Sequence, residues 1–166
     1  MISLRPATNK DRYILSDTCI SIAPLYDKFM PNAFNKQAER FLKQGLSQSY
    51  DTFIIENDKE AIGFIGTKKL NEQIVYLVAC YMHSEYQNKG FGSLVMDNLR
   101  NVLNESDMKE IVLLVHKKAI WAQKFYLKNR FVTVSDDKDK ILLYGDGIFR
   151  NDYLKDTVLM TYKMES

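Results

Sequence analysis

One unbroken apolar run, Ile74-Val75-Tyr76-Leu77-Val78-Ala79-Cys80-Tyr81-Met82, constrains the fold more than any other stretch of this chain. A strand with one wet face alternates polar and apolar residues. A strand without alternation is covered on both sides and lies inside a sheet. A polar segment, His83 to Gly92, follows it. An amphipathic helix comes next, with Phe91, Val95, Leu99 and Val102 as its apolar stripe. Ile111-Val112-Leu113-Leu114-Val115 is then a second apolar strand. A helix crosses between the two strands, so the second returns parallel to the first. The Ile74 run is far short of the roughly 20 apolar residues that span a bilayer, so no membrane segment is expected.

The flanking sequence fills in the sheet. Ile2-Ser3-Leu4-Arg5 alternates and reads as a short strand ended by Pro6. Thr8 or Asn9 can cap a helix carrying Ile14, Leu15, Thr18, Cys19 and Ile22, with Asp11 near its positive end. Pro24 and Pro31 break that pattern. A second helix is expected from about Asn35 to Leu46, with Gly45 near its end. Thr52–Ile55 and Ala61–Gly66 are strands separated by polar turn residues, and with the Ile74 strand they make an antiparallel meander. Lys118 to Asn129 is helical, with Trp121, Phe125 and Lys128 on one face. Phe131–Val134 and Thr157–Tyr162 are strands. The run Asp136-Asp137-Lys138-Asp139-Lys140 reads as a solvated loop, and Gly145-Asp146-Gly147 as a turn.

Composition removes several function classes. With 166 residues the chain suits one domain and needs no disulfide or metal staple. Its 23 basic and 21 acidic residues leave no electrostatic footprint for nucleic acid. The opening residues have no charged head followed by an apolar stretch, so no secretory signal is expected. Two cysteines, Cys19 and Cys80, make no disulfide framework and favour a reducing, cytoplasmic setting. His83 and His116 lie far apart without a ligand cluster near either, and no metal is expected.

The chemistry concentrates in Gln87-Asn88-Lys89-Gly90-Phe91-Gly92, between the apolar strand and the amphipathic helix. A helix start points unpaired N–H groups outward, and with the helix dipole they form an anion site. Glycines remove the Cβ atoms that block close backbone approach. Gly90 and Gly92 thus suggest a phosphate cradle, with Lys89 adding positive charge; the other reading is a tight turn only. No Lys-Ser/Thr follows the glycines, so this is not a P-loop. Val95 stands where a dinucleotide fingerprint needs a third small residue.

Gln87-x-x-Gly90-x-Gly92 after a central strand resembles the acetyl-coenzyme A signature of the GNAT superfamily of N-acetyltransferases. Ala122-x-x-Phe125-Tyr126-x-Lys128-x-x-Phe131 resembles that family's later motif. The opening Ile2-x-Leu4-Arg5-x-Ala7-x-x-x-Asp11 resembles a common family start. The resemblance covers essentially the whole chain. It implies one acyl-CoA N-acyltransferase-like domain over residues 1–166, of mixed α+β class. Its central sheet would have about seven strands, an antiparallel meander and then a parallel splayed pair, flanked by about four helices. Two positions depart from the family pattern. Ala119 stands where Asn is common, and Arg130 where Gly is common, so Asn129 is expected to end the helix in a left-handed conformation.

The resemblance further implies acetyl-CoA as cosubstrate and direct attack by a primary amine of a small molecule or peptide N-terminus in a ternary complex. The backbone at Cys80 and Met82 would pair with the pantetheine arm. The amides around Gln87, Asn88, Lys89, Gly90, Phe91, Gly92 and Ser93 would hold the pyrophosphate, and the Met82 N–H would polarise the thioester carbonyl. Tyr126 would be the general acid for the departing thiolate. Without the resemblance, Tyr126 is one of ten tyrosines and reads as helix packing. His116 is a candidate base because imidazole titrates near neutrality, or a structural group; Glu72 is another candidate. Glu85 and Tyr86 read as loop scaffolding, and His83 is expected to point to solvent. Tyr26, Asp27, Tyr144 and Asp146 fall in the acceptor regions. A monomer or homodimer is expected. The alternative reading is a non-catalytic coenzyme A-binding module of the same fold, and a third is a nucleotide-binding α/β domain.

Overall fold

The computed structural model describes residues 1–165. In chain order the elements are β1 (Ile2–Pro6), α1 (Arg12–Tyr26), α2 (Ala33–Gln44), β2 (Asp51–Asn57), β3 (Glu60–Lys69), β4 (Ile74–Met82), α3 (Phe91–Glu105), β5 (Glu110–His116), α4 (Ile120–Lys128), β6 (Val132–Ser135), α5 (Lys138–Leu143) and β7 (Thr157–Lys163). The strands form a seven-stranded sheet in the order β1-β2-β3-β4-β5-β7-β6. The β4–β5 pair is parallel, as a helical crossover between them requires. The pairs β1–β2, β2–β3, β5–β7 and β6–β7 are antiparallel. The fold is therefore of α+β class with a mixed sheet, as the sequence implied.

Two compact units divide the chain. One comprises Met1–Lys68 with Val78–Val102, and the other Lys69–Leu77 with the chain from Leu103 onward. In the first, α1 buries Leu15, Cys19 and Ile22, α2 buries Phe34, Ala38 and Phe41, and α3 buries Val95, Met96 and Leu99. Each such burial of a large apolar side chain favours folding by roughly 1.5–3 kcal/mol. Val102, expected on the α3 stripe, is instead 52% exposed. It lies in the last turns of the helix, beyond the buried residues. Pro24 does not end α1 at once: it stands inside the last turn, leaving the Ile20 carbonyl without its intrahelical amide, and the helix ends two residues later at Tyr26. Pro6 likewise pairs with Phe53 as the last residue of β1, an edge strand where proline is tolerated. Thr8 caps the turn ahead of α1, and the Asp11 carboxylate accepts the Thr8 amide at 2.8 Å. Arg5 reaches Asp11 with two nitrogens at 3.0 and 2.9 Å and Glu56 at 2.9 Å.

β3 is irregular where it matters. Ile55 pairs with Gly63 but Glu56 pairs with Ala61, so Ile62 is an extra residue in β3, a β-bulge. The Ile62 carbonyl accepts the His83 amide at 2.8 Å. A Cβ on the neighbouring Gly63 would lie 2.2 Å from the Tyr81 carbonyl oxygen and 2.8 Å from the Met82 Cα.

In the second unit, the parallel ladder runs over Ile74–Tyr76 and Glu110–Val112. Both strands continue outside it, β4 to Met82 and β5 to His116. β7 lies along the whole of β5, from Glu110–Lys163 to His116–Thr157. Ile111, Val112, Leu113, Leu159 and Met160 are buried there, and Tyr76 meets Phe149 edge-on at 5.5 Å. The charged run after β6 is not only loop. The Asp137 side chain accepts the Lys140 amide at 3.1 Å and starts α5, which Ile141 anchors with no exposure. With α5 there are five α-helices among the described residues rather than about four. The Gly145–Gly147 turn is present, with left-handed backbone at Gly145, Asp146 and Gly147.

Candidate active site

The segment joining β4 to α3 is tied down at several points. The Ser84 amide donates to Ser21 Oγ of α1 at 3.0 Å. The Tyr86 hydroxyl donates to Glu60, and Lys89 lies 5.9 Å above the Tyr86 ring. Glu85 is exposed, and its amide donates to the His83 Nδ1 at 3.2 Å. Tyr86 and Glu85 thus scaffold the loop as expected. His83 does not point to solvent: its Nε2 lies 3.3 Å from Asp17, and its side chain is 21% exposed. Its neighbour in α1 draws it in, and its Nδ1 caps the turn Ser84–Tyr86. Gln87, the first residue of the glycine motif, donates from Nε2 to the Met82 carbonyl at 3.0 Å, closing the loop onto the end of β4.

Past Gln87 the chain adopts left-handed backbone at Asn88 (φ 61°) and at Gly90 (φ 83°). Asparagine and glycine are the residues that tolerate this conformation best. Alternation of hand turns successive amides toward one side, the geometry of an anion-binding nest. A Cβ on Gly90 would find nothing within 4 Å, so the space above it is open. The 15-residue helix α3 then begins at Phe91, with no acidic residue in its first turn and Gly92 buried. Open space, unpaired helix-start amides and no local anion fit a diphosphate. Phe91 and Ser93 are half-buried, while Asn88, Lys89 and Gly90 are exposed.

Cys80 and Met82 are half-buried on the part of β4 that runs beyond the ladder with β5. Apolar surroundings push the Cys80 thiol up to about 12, and burial does the same to Cys19. Neither is a thiolate near neutral pH, and both are free cysteines.

Tyr126 and His116 belong to the second unit. α4 buries none of its side chains completely, and Trp121 is 41% exposed, so the expected Trp121–Phe125–Lys128 face is not a core face. The helix is instead fixed at its ends. At the start, Ala119 is fully buried and Gln123 Nε2 donates to the carbonyls of His116 at 3.2 Å and Lys117 at 2.9 Å. At the finish, the Arg130 amide donates to the Leu127 carbonyl at 3.1 Å and the Phe131 amide to the Tyr126 carbonyl at 3.0 Å. These two bonds define a Schellman motif, with its characteristic apolar contact between the residues at its two ends. That contact is Phe131 against Tyr126, ring centroids 5.4 Å apart. Tyr126 is therefore held by main chain and ring together. The left-handed residue of the motif is Arg130 (φ 71°), whereas Asn129 has φ −95°. The expectation for Asn129 is corrected: the motif needs the left-handed conformation one residue later, and the Asn129 side chain turns back to the Phe125 carbonyl at 2.9 Å.

The His116 Nδ1 accepts the Lys118 amide at 3.0 Å. That bond assigns the neutral ring's proton to Nε2. Burial, the largest cause, lowers the His116 pKa, with Lys118 and Lys117 adding to the fall and Asp156 opposing it. Glu72 is 95% exposed on a turn, 3.5 Å from Lys69. Of the acceptor candidates, Tyr26 is buried among Phe29, Phe34 and Tyr81. The Tyr144 hydroxyl donates to Glu110, and burial raises its pKa to about 12. Asp27 and Asp146 are at the surface. The Ile62 bulge and the left-handed Arg130 escaped sequence reasoning; a glycine inside an apolar strand, Gly63, was the one available signal for the first.

The model of the acetyltransferase (GNAT) family matches residues 20–131, and the chain belongs to that family. No curated protein matches the sequence significantly. Among solved structures, the chain is similar to the PaiA N-acetyltransferase of Thermoplasma acidophilum in complex with coenzyme A. Identity there is 17% and the TM-score 0.67, over 98% of this chain and 99% of that one. A GNAT-family acetyltransferase of Staphylococcus aureus gives 18% identity and a TM-score of 0.69, over 99% and 100%. A chimeric spermidine N-acetyltransferase SpeG from Vibrio cholerae and hSSAT gives 19% identity and a TM-score of 0.65, over 98% and 95%. These likenesses establish the fold.

Proposed function

We propose that the protein is an N-acetyltransferase that moves an acetyl group from acetyl-CoA to a primary amine of a small molecule or peptide, by direct attack in a ternary complex. The reading takes residues 1–166 as one acyltransferase domain. The observation that carries it is the Asn88–Gly90 turn, which opens the start of α3 with no side chain above Gly90.

Acetyl-CoA supplies an activated acyl carbon and a thiolate leaving group. Main-chain amides from Asn88 to Ser93, with Gln87 bracing the loop, bind the diphosphate. The β4 backbone at Cys80 and Met82 binds the pantetheine arm through groups outside the β5 ladder. The Met82 N–H donates to the thioester oxygen as it gains charge, an interaction typically worth a few kcal/mol in the transition state. The amine forms its bond to the acyl carbon as the C–S bond breaks, Tyr126 donates its phenolic proton to the sulfur, and the proton shed by the amine nitrogen returns through water to restore the Tyr126 phenol. His116 can take the amine's proton only on Nδ1, whose lone pair the Lys118 amide now holds, so it is the weaker assignment.

The test is free thiol release from acetyl-CoA over a panel of amines, amino acids and peptides, beside calorimetric binding of coenzyme A. Micromolar coenzyme A binding with thiol release by at least one amine class is the expected result. Binding without release from any acceptor would favour the non-catalytic module. Failure to bind coenzyme A would overturn both.

A further inference from the structure

We infer that Gly63 of β3 is a positioning residue for the thioester-polarising amide of Met82. The inference rests on the acetyl-transfer reading above. Two independent observations support it. First, Ile62 is an extra residue in β3, so the strand bends at this point, and its carbonyl still anchors the far end of β4 through the His83 amide at 2.8 Å. Bulges of this kind re-aim the groups beside them. Second, a Cβ at Gly63 would lie 2.2 Å from the Tyr81 carbonyl oxygen and 2.8 Å from the Met82 Cα. In a flat ladder the Cβ stands out of the plane of the neighbouring backbone. A contact this short means that the peptide joining Tyr81 to Met82 passes through the space a side chain would fill. That peptide carries the Met82 N–H. Its tilt is thus set by the missing side chain at Gly63, and any other residue must push it away.

Gly66, in the same strand, is the matched control. A Cβ there would meet the Tyr50 ring at 2.9 Å and Ala79 at 3.5 Å, with no backbone atom among its near neighbours. Gly66→Ala should therefore strain packing without re-aiming the Tyr81–Met82 peptide.

The experiment compares wild type, Gly63→Ala and Gly66→Ala by isotope-edited infrared spectroscopy of bound acetyl-CoA labelled with ¹³C at the acetyl carbonyl. Calorimetry with coenzyme A and circular dichroism run alongside. In wild type, the thioester stretch should move to lower frequency on binding. In Gly63→Ala that movement should disappear, with coenzyme A affinity within about threefold of wild type. Where an acceptor is found, kcat should fall about 10²- to 10³-fold, the cost of losing one oxyanion donor, with KM for acetyl-CoA nearly unchanged. Gly66→Ala should keep the wild-type frequency. An unchanged frequency in a folded Gly63→Ala protein would overturn the inference, as would an equal loss in both variants. Should Gly63→Ala not fold, a wild-type crystal structure with acetyl-CoA decides. The Tyr81–Met82 peptide still packed against Gly63 Cα with the Met82 N–H on the thioester oxygen upholds the inference, and a peptide that has moved off Gly63 to make that bond sinks it. A wild-type protein that binds no coenzyme A refutes the parent reading instead, so the two failures are distinguishable.

Discussion

Replacement of Arg130 should separate two opposing contributions at the end of α4. The residue holds left-handed backbone (φ 71°) in the motif that fixes Tyr126, and its guanidinium lies 5.9 Å above the Tyr162 ring. Left-handed backbone costs a residue with a Cβ roughly 1–2 kcal/mol. Glycine escapes that cost but gives the unfolded chain about 0.4–1 kcal/mol of extra entropy. The cation–π contact, worth about 0.5–1 kcal/mol at an exposed site, vanishes in any truncation. Arg130→Gly and Arg130→Ala both lose the contact, so their difference isolates the backbone. Glycine should be the more stable of the two by about 0.8 kcal/mol, the difference between the steric and entropic costs. For a chain of 166 residues that is about 2–3 °C in Tm, readable by circular dichroism, with urea titration to convert it to free energy. Arg130→Ala should fall below wild type, while Arg130→Gly should match it or nearly so. An alanine variant as stable as the glycine variant would refute the argument, because the strain at this position would then be absent.

Three further outcomes are expected. Tyr126→Phe should lower turnover by about 10²- to 10⁴-fold in a steady-state thiol-release assay, with coenzyme A affinity unchanged by calorimetry; full turnover would remove the acid role. His116→Gln should leave the pH dependence of kcat unaltered, because the Nδ1 lone pair is already engaged by the Lys118 amide; loss of an acidic limb would restore His116 as base. Asp11 is held below the usual carboxylate range mainly by Arg5, with the Thr8 amide assisting and burial opposing. Its folded pKa is depressed, so its stabilisation is complete above the unfolded value near 3.8 and lost as pH falls through the folded one. Asp11→Asn should therefore destabilise at pH 7 and flatten the acid limb of a stability–pH curve measured by urea unfolding.

The centre of the fold was legible because its signals are local and strong. The Ile74–Met82 run has the same bounds as β4, and the helical crossover dictated its parallel pairing with β5. The glycine motif falls where strand becomes helix, and the turn at Asn88 and Gly90 follows from residue chemistry. The misses share a different cause. α5 hides in a charged run because a single buried residue, Ile141, anchors it and leaves no apolar period to read. Pro24 acts with a lag, since a proline disrupts the turn before it and α1 runs on to Tyr26. Arg130 takes a conformation that its own chemistry disfavours, imposed by the bonds of Phe131 and Arg130 back to α4. His83 looked like a solvent-facing loop residue, and only the fold brings Asp17 to it. Contacts between distant residues, and strain accepted on their behalf, leave no periodic trace.

Neither compact unit is a contiguous stretch of chain. Lys69–Leu77 leaves the first unit early, and the rest of the second unit follows only from Leu103. During synthesis the first unit has all its residues once Val102 has cleared the ribosome. By then Ile74–Tyr76 has already emerged, but its partners Glu110–Val112 are still inside the exit tunnel. That short apolar segment must wait on the nascent chain, an interval in which a holdase-type chaperone would find it exposed.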